Sequence, residues 1–147
     1  MTGTTVGWVR WPAGILALLA IQFLAWTEFV LRPVAVSGPS MEPTLLEGDL
    51  VLVDLWTYRQ RAPRRGEVVW IATRGPTPTF LVKRVGRAQA THAMGVADSR
   101  PGATAWVLGD NPAESLDSRQ FGEVSADRVA GRVLLRYWPP SRLGVVR

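Results

Sequence analysis

The sequence predicts a mainly β domain preceded by a single apolar helix, and three observations carry that expectation. The 147 residues include 14 Gly and 11 Pro, a composition of turns and short strands rather than of a helical bundle. From residue 49 onward, short runs rich in Val and Leu recur, each broken by Gly, Pro or Asp. Ahead of them, residues 13–31 (AGILALLAIQFLAWTEFVL) form one long apolar stretch whose polar members are Gln22, Thr27 and Glu28.

The length allows one domain with a sizeable core plus one extra element. As a helix, residues 13–31 would extend roughly 28 Å at about 1.5 Å per residue, close to the roughly 30 Å of a bilayer core. Trp8, Trp11 and Trp26 sit where interfacial aromatics are favoured. Arg10 and Arg32 flank the stretch almost symmetrically, so charge bias gives little orientation. We therefore expect a short tail and transmembrane anchor over 1–33, ended by Pro33, and a β domain over 34–147. A cleavable signal peptide, with Ala35-Val36-Ser37 as its cutting site, and a buried core helix are the competing readings. The strands are expected over 49–54, 66–72, 79–85, 105–108 and 129–137, five in about a hundred residues, as in a compact barrel or pair of small sheets. Residues 73–78 read as a hairpin loop and 88–103 as an exposed connection.

Charge and cysteine content exclude several classes. There is no cysteine, which removes disulfide scaffolds, zinc ribbons and thiol nucleophiles. The net charge of +5 comes from scattered arginines, with one tight group at Arg59, Arg61, Arg64 and Arg65; a solvated face or contact with anionic headgroups accounts for it better than nucleic acid does. Of 17 basic residues, Lys83 is the single lysine. Unlike arginine, a buried lysine can lose its proton.

Three segments could carry chemistry. In Ser37 to Thr44 (SGPSMEPT), Gly38 and two prolines fix a turned backbone that can expose the Ser40 hydroxyl; Met41 would pack on the domain or on the membrane surface. In 81–85 (LVKRV), strand periodicity puts Leu81, Lys83 and Val85 on one face, so Lys83 has apolar neighbours, and desolvation would lower its pKa toward that of a general base. In 108–122 (LGDNPAESLDSRQFG), Ser115 could present a hydroxyl to an amine, and Asp117 and Arg119 could pair to hold the loop. Attacker, base and a group that aims the base form the logic of an activated nucleophile. His92 stands without a partner pattern, which argues against a Ser-His-Asp triad and a metal site.

These segments, in this order, resemble the boxes of the type I signal peptidase family, including its mitochondrial inner-membrane protease branch and small bacterial maturation members. SGPSMEPT resembles the nucleophile box, 48–53 and 65–69 the two strands after it, 83–85 the box of the base lysine, and Gly109, Asp110, Asn111, Ser115, Asp117 and Arg119 the closing box. The resemblance implies a mostly β catalytic domain against the outer face of a membrane, cutting preproteins or pro-peptides after small residues without metal or organic cofactor. It implies Ser40 and Lys83 as catalytic residues, Ser115 as the hydroxyl orienting the lysine, and the Ser40 backbone N–H as an oxyanion donor. Asp110, Asn111, Asp117 and Arg119 would shape the loop, and Met41 would make the membrane contact. Its partners would be the substrate and the lipid bilayer, in a bacterial plasma membrane or else the mitochondrial inner membrane. The position two before Ser40, a serine donor in some members, is Gly38, and the Gly-Asp after the lysine box is absent. Alternatives are a dedicated pro-peptide remover, like the maturation proteases of nickel-type superoxide dismutase, and a catalytically silent tethered module.

Overall fold

The apolar stretch is helical, but it ends sooner than Pro33. In the computed structural model, which describes residues 11–73, 75, 79–89 and 103–147, helix α1 spans Trp11–Val30. Every side chain from 14 to 22 is exposed, among them Ile15, Leu16, Leu18, Leu19 and Ile21. Among the described residues, however, no helix is long and apolar enough to cross a membrane. The expectation of a helix over 13–31 is thus met by α1.

The chain divides into two compact units, Met1–Val30 and Leu31–Arg147. Instead of a linker after the helix, Leu31–Ala35 form strand β1, antiparallel to β2 (Leu50–Asp54), with Leu31 opposite Asp54 and Ala35 opposite Leu50. Pro33 fits there because β1 ends the sheet, where a missing N–H breaks no ladder on the open side.

The remaining strands are β3 (Val68–Ala72), β4 (Phe80–Gln89), β5 (Thr104–Leu108), β6 (Val124–Ser125), β7 (Val129–Trp138) and β8 (Gly144–Val145). Together they make one antiparallel sheet in the order β1-β2-β7-β3-β4-β5-β6, with β8 added to β7. The five strands expected from sequence are present; β1, β6 and β8 are additions, two of them only two residues long. Register shifts in β7 against both β2 and β3 bend the strand as bulges do. The curled sheet consequently has two cores: Val36, Met41, Leu45, Val51, Val53, Val68, Trp70, Val133 and Val146 in one, and Val69, Ile71, Val85, Ala105, Val107, Val124 and Val129 in the other. Most of residues 74–78 and all of 90–102, with His92, lie outside the described residues, as do Trp8 and Arg10.

The basic turn is less free than its composition suggests. It contains a short helix, α2 (Thr57–Gln60), and Arg61 forms a bidentate pair with Glu67, donating from Nη1 to Oε2 at 3.0 Å and from Nη2 to Oε1. One of its four arginines therefore closes the turn internally.

Candidate active site

Lys83 lies in the middle of β4, opposite Val69 of β3, and only 2 % of its surface is exposed. Burial pushes its ammonium pKa below the ordinary value; Asp117 opposes that shift and Arg119 adds to it. Its amine has a directed contact: Nζ donates to Ser115 Oγ at 3.1 Å. Ser115 in turn donates to Asp117 Oδ2 at 2.8 Å. A hydroxyl has one proton, and here Asp117 takes it, so the Lys83–Ser115 contact must be N–H to O. A neutral Lys83 then keeps its lone pair free of Ser115, available to accept a proton.

The closing loop explains why that chain of contacts is rigid. Residues 112–114 form a single 3₁₀ turn that delivers Ser115, and Asp117 caps helix α3 (Ser118–Phe121) in a capping box with Gln120. The Asp117 carboxylate is fully buried and accepts from Gly109 N at 2.8 Å, Ser115 Oγ, Arg119 N at 3.2 Å and Arg119 Nε at 2.8 Å, while Arg119 Nη2 approaches Oδ2 at 2.6 Å. These donors hold its pKa well below the usual carboxylate range, the Arg119 side chain contributing most. It therefore stays an anion and keeps the Ser115 proton pointed away from Lys83.

Ser40 sits on the turn between β1 and β2, half-buried. Its carbonyl accepts from Asn111 N at 3.1 Å, which fastens the serine turn to the closing loop. Gly109 marks how close the two come: a Cβ at that position would overlap Ser115 Oγ and stand 2.5 Å from the Ser40 carbonyl oxygen. Among the described residues, neither the Ser40 hydroxyl nor its N–H is hydrogen-bonded within the chain, and Ser40 Oγ makes no hydrogen bond to Lys83. The structure thus joins Lys83, Ser115, Asp117 and Arg119 directly and brings Ser40 to them through the backbone. Gly38 has φ +79, a left-handed conformation in which any Cβ is strained, so glycine is what this backbone requires.

Met41 packs on the domain, one of the two places expected for it. It is 1 % exposed and belongs to the first core cluster together with Leu45. Asp110 is held by Arg84, which donates from Nε to Oδ1 at 2.7 Å and from Nη2 to Oδ2 at 2.6 Å, and from Nη1 to Gly66 O at 2.8 Å. Sequence reasoning missed Arg84 in this role, as well as Ser118, whose buried Oγ accepts from Val107 N at 2.8 Å. For both, adjacency to Lys83 and Asp117 was the available signal. Asp49, Arg136 and Arg142, which grip the serine turn, had none. Among the described residues no cluster of His, Cys, Asp and Glu could hold a metal ion.

A mainly β domain with a serine-bearing turn, a buried lysine and a polar closing loop is an arrangement compatible with nucleophilic chemistry at a serine. Comparison with known proteins narrows it. The family model for signal peptidase, peptidase S26, matches residues 8–89 and 87–138. Mitochondrial ATP-independent inner membrane protease subunit 1a of Arabidopsis thaliana is 32% identical over 131 residues, covering 82% of this chain and 78% of that protein. Mitochondrial inner membrane protease subunit 1 of Mus musculus is 31% identical over 128 residues, 82% of this chain and 77% of the relative. Signal peptidase IB of Staphylococcus aureus is 23% identical over 172 residues, 89% and 90% of the two chains. The chain belongs to the signal peptidase family, peptidase S26, and is a signal-peptidase-type serine protease.

Proposed function

We propose that this protein removes N-terminal signal or pro-peptides from preproteins by a Ser40–Lys83 dyad. The observation that carries the reading is the buried Lys83 amine, its pKa lowered and its contact with Ser115 fixed in direction by Asp117. Ser40 Oγ attacks the scissile carbonyl and passes its proton to the Lys83 lone pair. The tetrahedral intermediate collapses with cleavage of the C–N bond, and Lys83 gives that proton to the leaving amine. Water, deprotonated by Lys83, then attacks the acyl-enzyme, and Ser40 leaves with the proton. The Ser40 N–H, without an acceptor among the described residues, is suited to the developing oxyanion, a donor worth about 3 kcal/mol in comparable sites. Catalytic hydrogen bonds are often long without substrate and tighten in the complex, which accommodates the absent Ser40–Lys83 bond.

In the same proposal α1 holds the enzyme at a bilayer, bacterial or mitochondrial, through its exposed apolar side chains. Trp138, Leu143 and Val145, 53%, 63% and 65% exposed near the end of β7, offer further apolar contact with lipid. The test is cleavage of a panel of preproteins and pro-peptides by detergent-solubilised protein, with Ser40→Ala and Lys83→Ala alongside. Cutting after small residues, abolished in both variants, is the expected result; activity surviving in either folded variant refutes the dyad. Preference for one pro-peptide over all signal peptides would mark a dedicated maturation protease.

A further inference from the structure

The turn that carries Ser40 is held by charges that the chemistry above does not use. Its base is closed by Val36 N to Asp49 O at 2.8 Å and Gly48 N to Val36 O at 2.9 Å. Inside it, the Asp49 carboxylate is 2 % exposed. Its Oδ2 accepts from Leu46 N at 2.8 Å, both its oxygens accept from Arg142 Nη1 at 3.0 Å, and Arg136 Nη1 lies 3.6 Å away. The two guanidiniums reach past Asp49 to the main chain just after Ser40. Arg136 Nη1 donates to Thr44 O at 2.7 Å, and Arg142 Nη2 to Pro43 O and Thr44 O at 3.4 Å each.

We propose that Asp49 with Arg136 and Arg142 forms a clamp that positions Ser40 for attack, tying the nucleophile's turn to the C-terminal segment. The inference rests on the Ser40–Lys83 reading. Two cations that share the same carbonyl would repel each other; the buried carboxylate between them lets both stay. The Ser40 carbonyl accepts from Asn111 N, so the serine turn is tied at Ser40 and again at Pro43 and Thr44. No bond of the clamp reaches Lys83, Ser115 or Asp117 among the described residues, so its loss should displace the nucleophile and leave the base alone. These are positioning residues, since none has a bond to Ser40 itself.

The experiment measures the single-turnover acylation rate, KM and the pH midpoint of the full chain for Asp49→Asn, Arg142→Gln, Arg142→Lys and the Asp49→Asn/Arg142→Gln double variant. Rates are normalised to folded protein and taken well below the melting temperature. A nucleophile displaced by about 1 Å loses roughly 100-fold in rate, so we expect roughly 10- to 100-fold slower acylation, KM within about threefold and the pH midpoint unmoved. Arg142→Lys, which keeps the charge but not the two-sided reach, should recover part of the rate. The double variant should be no slower than the worse single one, because both act on one clamp. Acylation within twofold of wild type in folded Arg142→Gln would overturn the clamp, and so would a shifted pH midpoint, which would place the effect on Lys83. Should Asp49→Asn not fold, the two Arg142 variants decide the matter. Failure of the underlying reading shows separately, as cleavage persisting in Ser40→Ala.

Discussion

Gly109→Ala perturbs the site without removing any of its chemical groups. The new methyl would overlap Ser115 Oγ and sit 2.5 Å from the Ser40 carbonyl oxygen. Ser115 cannot turn away without giving up Asp117 or Lys83, and the Ser40 carbonyl is main chain, tied to Asn111 N. Merely to reach 3.0 Å, a separation that real Cβ atoms rarely go below, the two segments must part by about half an ångström, and an ordinary contact needs nearly twice that. The nucleophile lies on one of the segments being forced apart, and Ser115, which contacts the Lys83 amine, lies on the other; a misplacement of about 1 Å lowers rate roughly 100-fold. Overpacking of this kind also destabilises by about 1–3 kcal/mol. The assay is kcat on a cleaved pro-peptide, with thermal unfolding to establish the folded fraction, and Gly86→Ala as control. At Gly86 the nearest atom to a Cβ is the flexible end of Leu108, 3.1 Å away, so that variant should keep its activity. A Gly109→Ala enzyme with wild-type kcat would refute the geometry, because it would mean that Ser40 and Ser115 need not meet at this glycine.

Three further expectations concern charge. Arg119→Gln should move the pH midpoint of activity upward: Arg119 itself lowers the Lys83 pKa, and without it the Asp117 anion that raises it is less compensated; a midpoint unchanged or lowered contradicts that reading. Lys83→Met should lose activity while removing a titration from stability. Because the folded-state pKa of Lys83 is lowered, the unfolded chain binds the extra proton between that value and 10.5, so wild-type stability rises with pH across that window. Chemical denaturation of the Met variant should lack that rise, and identical pH slopes for the two proteins would count against a desolvated amine. Asp117, whose pKa is depressed, contributes stability that is present above about pH 4 and lost as the pH falls below it; acid denaturation of Asp117→Asn should show a correspondingly shallower loss.

Local signals made much of this molecule legible. The helix followed from an uninterrupted apolar stretch, and the five main strands from alternation between Gly, Pro and Asp breaks. Lys83 stood out as the one lysine among arginines, and its burial followed from Leu81 and Val85 on the same strand face. Ser115, Asp117 and Arg119 lie within five residues, so their mutual contacts were written in one loop. What stayed hidden depends on partners far apart in sequence. Asp49 and Arg142 are separated by 93 positions, and nothing local distinguishes either from an ordinary surface charge. β1 was obscured because Pro33 reads as a helix terminator, and only pairing with β2 at the sheet's edge makes it a strand residue. By its local sequence Met41 could pack on the domain or on the membrane surface, and the core cluster it joins is drawn from distant strands and the C-terminus, with Val51, Val133 and Val146 among its members.

The central claim, that Ser40 attacks and Lys83 takes its proton, is tested most directly by mapping covalent acylation. Wild type and Lys83→Met would each be treated with a serine-directed acylating agent across a pH series and digested, and the adduct located by mass spectrometry. The account predicts one adduct on Ser40, forming faster as the pH rises through a lysine pKa below 10.5, and essentially none in the folded Met variant. An adduct on another residue, or Ser40 labelled at the same rate without Lys83, would contradict it.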